Sequence, residues 1–146
     1  MTDATPSPPP AAPPDPVVVL AQLADAAGHA STLLFDYRRS NPGAPDLAQA
    51  LNLEMTLDKR AIELRTQAVA MLGDRVADAL AQLQDATRRI DDFLRGVKTT
   101  QARFGVASAV IALAGAALVG DAGGILSAVG NVHDALRTLQ DAARTA

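Results

Sequence analysis

The sequence predicts an all-α protein, either an antiparallel helical bundle or a long coiled-coil hairpin, ending in an apolar Ala/Gly-rich helix pair. Three observations predict it. Alanine and leucine dominate while aromatics make up 3%, with a single tyrosine and no tryptophan, a composition that favours helices over strands. Apolar residues recur every seven positions from Met55 to Phe104, the spacing that holds one helix seam against a partner. Proline and glycine gather in a few short stretches and leave long runs between them in which helices can form.

The chain has 146 residues, enough for one domain with a core, which we assign to 17–146. Residues 1–16 hold seven of the nine prolines, so a disordered tail with polyproline II character is expected there. It reads as a solvated leader rather than as a ligand for a polyproline-binding groove, because no basic anchor flanks it.

A first helix is expected over 17–40. Asp15 can cap it, Pro16 suits its first turn, and Leu20, Leu23, Ala27, Leu34 and Tyr37 supply its stripe. The NPGAPD stretch at 41–46 ends it, with Asp46 as a cap for the next helix.

A heptad-bearing helical body is expected over 46–103. Its association seam is Ile62, Val69, Val76, Leu83, Ile90 and Val97, one residue per heptad. An unbroken helix from Leu47 to Gly120 would extend about 110 Å, too long for a compact domain. Breaks are therefore expected near Gly73 and within 95–105, giving four or five helices that fold back on one another. Asp85 with Arg89 and Asp91 with Arg95 stand four apart with the acid first. They mark a solvated face, each pair contributing about 0.2–0.5 kcal/mol.

An apolar helix is expected over 104–120. Phe104 to Gly120 carries no charge, and the nineteen residues from Phe104 have a mean hydropathy of about 1.8, in the range of a spanning helix. Its 17 residues are at the short limit for crossing a hydrocarbon core of about 30 Å. Phe104, Ala109, Ala112, Ala116 and Gly120 define it as a membrane or packing segment; with Gly105, its small residues form rows that let helices approach closely. The GDAGG stretch then reads as a turn, and an amphipathic helix is expected over 125–144, with Ile125, Val129, Val132, Leu136 and Leu139 on its apolar stripe.

The chemistry-bearing motifs are absent. Cysteine is missing, so no thiolate ligand, disulfide or cysteine nucleophile exists. GAALVGDAGG lacks both GK[ST] and GxGxxG. His29 and His133 have no second ligand at zinc spacing. Asp91 and Asp92 are adjacent, about 100° apart on a helix, and do not converge. A net charge of −3 with few aromatics gives no footprint for nucleic acid. We therefore expect no catalytic, cofactor or metal site, and no small-molecule substrate is identified.

What remains is a non-enzymatic protein that works by helix–helix association, through self-association or with a helical partner. The sequence favours membrane association through 104–126. The expected location is the cytoplasm or the cytoplasmic face of a membrane, with single-pass topology, N-terminus inside, if the segment spans. The alternative is a soluble helical-bundle adaptor or structural assembly subunit. A third reading is a pore-forming or membrane-disrupting effector that uses the same segment after rearrangement.

Overall fold

A computed structural model describes residues 15–66 and 71–145, with the side chains of 143–145 excepted. The described residues form five helices and no strand: α1 Pro16–Ser40, α2 Leu47–Thr66, α3 Val76–Arg95, α4 Thr100–Val119 and α5 Ala122–Thr145. The protein is an all-α helical bundle. The tail expected over 1–16 lies outside the described residues except for Asp15 and Pro16.

Local chemistry places the ends. The Asp15 carboxylate accepts from the Val17 N–H at 2.9 Å, and Pro16 occupies the first turn of α1, where its missing donor costs nothing. Asn41 ends α1, its side-chain amide donating to the Tyr37 carbonyl at 2.9 Å. Thr99 caps α4 by accepting from the Ala102 N–H at 3.1 Å, so α4 starts at Thr100, four residues before the expected Phe104. Its end is set by Gly120, at φ 79°, a left-handed conformation that glycine adopts without a Cβ penalty.

The GDAGG turn is shorter than expected. Asp121 accepts from the Gly124 N–H at 3.1 Å and so caps α5, which begins at Ala122 rather than 125. The two glycines after the cap lie in the first turn of α5, not in a linker. A distant stretch of chain braces this corner: Leu72 donates to the Gly120 carbonyl at 2.7 Å and accepts from the Ala122 N–H at 2.9 Å. Gly73, at φ 108°, lets that segment turn away toward α3.

Side-chain pairs fix the directions. Arg38 of α1 meets Glu54 of α2, and Asp25 meets Arg65, so α1 and α2 run antiparallel. Gln22 with Gln84, and His29 with Asp91, make α1 and α3 parallel. α4 returns antiparallel to α1, with Phe104 beside Tyr37, and α5 runs back along α4 with Leu139 at Gly105. α1 packs on α2, α3 and α4, and α4 packs on α1, α2 and α5; α3 and α5 pack on each other, and α2 touches neither.

The expected body over 46–103 is thus two helices, α2 and α3, separated by 67–75 and on opposite sides of α1. Leu23, Leu34, Leu57, Leu83, Ile90, Leu113 and Ile125 are the largest fully buried side chains of a single core. α1 and α4 are each long and apolar enough to cross a membrane by length and composition, with mean hydropathy of 1.4 and 1.9.

Candidate functional site

The structure scatters the expected association seam. Leu83 and Ile90 are fully buried in the core. Val76 is half-buried at the start of α3, and Val97 is half-buried in the α3–α4 connection. Ile62 points outward and is 61% exposed. Val69 lies outside the described residues. Because the chain folds back between α2 and α3, and Val97 lies in the connection after α3, these positions do not form one continuous line.

The apolar segment is also divided. α4 buries Val106, Ala107, Val110, Leu113, Ala114 and Ala117. Of the residues chosen from sequence, Gly120 is buried, Phe104, Ala109 and Ala116 are half-buried, and Ala112 is exposed. The small-residue row is therefore mostly the flank of α4, and its larger side chains face the core. Gly105 is the position where smallness matters: a Cβ there would come within 2.9 Å of two Leu139 carbons.

The α1–α2 surface holds apolar residues that the bundle does not cover. Leu51, Met55 and Ile62 of α2 are 42%, 64% and 61% exposed, and Phe35 of α1 is 47% exposed. Spacings of four and seven put the three α2 residues on one flank of the helix. The inward row of α2 is a different one: Ala50, Glu54, Leu57, Ala61 and Leu64. The antiparallel register set by Arg38–Glu54 and Asp25–Arg65 brings Phe35 level with Met55. The result is an apolar face along the α1–α2 seam.

Charged and aromatic groups fix this seam at its end. Glu54 is buried, and both of its oxygens accept from the Arg38 guanidinium, one from a terminal nitrogen at 3.0 Å. A paired fork of this kind neutralises a carboxylate that would be costly to bury alone. Bonding to Glu54 raises the Arg38 pKa further above its already high value. Arg38 also lies 5.7 Å from the centre of the Phe35 ring, so the same side chain supports the apolar face.

Next to it, the Tyr37 hydroxyl donates to Asp46 at 2.7 Å. Asp46, expected to cap α2, commits its carboxylate to this bond. Phe104 meets the Tyr37 ring edge-on at 5.9 Å, and Arg103 lies 5.6 Å from its centre. The hydrogen bond to Asp46, followed by partial desolvation, raises the Tyr37 phenol above its ordinary value near 10.

None of these groups forms a nucleophile–base pair with an orienting third group. Among the described residues no cluster of three His, Cys, Asp or Glu side chains could hold a metal ion. Comparisons with protein-family models, curated proteins and solved structures give no match.

Sequence reasoning missed Phe35, Leu51 and the Arg38–Glu54 pair. Leu51 and Ile62 did carry a signal, since Leu51, Met55 and Ile62 stand four and seven apart along α2, with the acidic Asp58 between the last two.

Proposed function

We propose that the protein is a non-enzymatic helical bundle that acts by presenting the α1–α2 face to a helical partner, as an adaptor or assembly subunit. The observation that carries the reading is the outward row Leu51, Met55 and Ile62 with Phe35 beside it. Such a patch measures on the order of 400 Å², in the range of the largest apolar patch on a typical monomer, which is often functional. Its helical spacing suits a partner helix laid along the seam. Most of the larger apolar residues of 104–126 serve the core, so this reading does not require lipid.

A photo-crosslinking residue at Met55 tests it. We expect a discrete crosslinked product, lost on Phe35→Ser/Ile62→Lys while the thermal midpoint is kept. Crosslinking no stronger than from exposed Gln82 on α3 would overturn the reading.

A second reading has its own support. α1 and α4 are both apolar enough to cross a membrane and are antiparallel neighbours, so an opened bundle would offer lipid a ready-made apolar pair. Dye release from anionic liposomes tests this effector reading, and intact liposomes across the pH range of folding would count against it.

A further inference from the structure

A groove runs between the parallel helices α3 and α5, on the side of the bundle away from α2. It encloses about 550 Å³, within the range of small-molecule sites. Phe93 of α3 and Leu136 of α5 give it an apolar floor. Arg89, Arg137, His133 and Gln140 supply its polar wall, and Asp92 is the single carboxylate among the lining groups.

The partners of these groups decide its preference. Asp85, just outside, binds Arg89 through Nε at 3.0 Å, which leaves the terminal nitrogens of Arg89 without a hydrogen bond among the described residues. The same Asp85 oxygen is 3.8 Å from His133 Nε2, a buried nitrogen with no hydrogen-bond partner among the described residues. Asp92 faces Arg95 at 4.0 Å, so its charge is shared with a cation outside the groove. Arg137 makes no hydrogen bond or ion pair with any described residue.

We propose that the α3–α5 groove binds a small organic anion: a carboxylate or phosphate oxyanion carried on an apolar body. The guanidinium groups of Arg89 and Arg137 receive the oxyanion. Guanidinium is weakly hydrated and matches the planar fork of a carboxylate or the oxygens of a phosphate. Phe93 and Leu136 take the apolar body, and the Gln140 amide adds a neutral donor. A cationic ligand would find one carboxylate set among arginines, and a neutral one would offer no charge to Arg137 or to the terminal nitrogens of Arg89. This site is separate from the α1–α2 face and does not depend on it.

Titrating the ¹⁵N-labelled full chain with benzoate tests the proposal. The expected result is saturable amide shifts confined to 89–93 and 133–140, with a dissociation constant on the order of 1–10 mM for so small a probe. Benzyl alcohol, the neutral analogue, and inorganic phosphate, which lacks the apolar body, should each bind more weakly. Arg137→Gln, at an exposed position, should weaken benzoate about tenfold, the loss of one charge-assisted bond, with the thermal midpoint unchanged. Three results would overturn it: no saturable shift, equal affinity in Arg137→Gln, or a response to phosphatidylglycerol vesicles without one to benzoate, which would assign these arginines to a lipid surface.

Discussion

Leu113 and Ala112 are neighbours on α4 with opposite surroundings, and exchanging their sizes gives opposite expected outcomes. Leu113 is fully buried, whereas Ala112 is exposed. Leu113→Ala removes three carbons from the core, a transfer loss of about 2.5 kcal/mol. A residual cavity on the order of 50 Å³ adds about 1 kcal/mol. The expected destabilisation of about 3.5 kcal/mol is a large part of the roughly 5–15 kcal/mol that a domain typically has. With a urea dependence of about 2 kcal/mol per molar for a chain of this size, the midpoint should fall by roughly 1.5–2 M, read from helical circular dichroism. Ala112→Leu adds side chain to solvent and should move the midpoint by no more than about 0.5 kcal/mol equivalent. Equal losses in the two variants, or a Leu113→Ala loss below about 1 kcal/mol, would refute the assignment of α4's inner face.

Other consequences are as direct. Gly120→Ala forces a side chain into the left-handed region and should cost about 1–2 kcal/mol, whereas Gly115→Ala, inside α4 with open space around it, should stabilise by up to about 1 kcal/mol; thermal melts of the pair check the contrast. Arg38→Met leaves buried Glu54 without its partner and should lower the melting temperature, while adding Glu54→Met should restore it; a double variant no more stable than Arg38→Met would count against the pair. Tyr37 is the only tyrosine and there is no tryptophan, so absorbance at about 295 nm reports it alone. Because its folded pKa is raised, the neutral phenol contributes stability that is fully present below the unfolded value near 10 and lost as pH rises through the folded value. Asp46→Asn should bring the tyrosinate transition to lower pH, and an unchanged transition would refute the cause assigned to it.

The helical class and the first helix were legible because their signals are local. Asp15 and Pro16 act on the turn directly after them, and the 41–46 loop contains its own prolines and glycine. The seven-residue repeat misled because α2 carries two rows. Both rows carry large apolar residues: the outward one Leu51, Met55 and Ile62, the inward one Leu57 and Leu64 between small Ala50 and Ala61 and the acidic Glu54. Residue size alone therefore does not tell the two rows apart. Glu54 can face inward only because Arg38, sixteen positions earlier, meets it there. Helix starts were misplaced for a related reason: Gly123 and Gly124 have low helix propensity, yet the Asp121 cap and the Leu72 brace hold the turn that contains them. The α3–α5 groove was not legible, since it joins residues 40 or more positions apart through parallel packing. Benzoate binding and its loss in Arg137→Gln would therefore be a property of the fold and not of any motif.

The apolar character of α4 has an explanation in the arrangement of the helices. Among the described residues α1 and α4 are the two helices apolar enough to cross a membrane, and they are also the two in the middle. Each packs closely on three neighbours, whereas α2, α3 and α5 each pack closely on two. A helix surrounded on more sides needs apolar residues over more of its circumference, and this alone raises its hydropathy. Small residues are required for the same reason, because several helices must approach one axis. At Gly105 the approach is close enough that a Cβ would meet the Leu139 side chain, so Gly105→Val should turn Leu139 aside and cost more stability than the same change at open Gly115. If instead α4 met lipid in the folded protein, its outward residues would be expected to be the larger ones. Val119 fits that pattern, but Ser108 and Ala112 do not, and Val106, Val110 and Leu113 are turned inward. The distribution of size around α4 therefore follows its neighbours in the bundle.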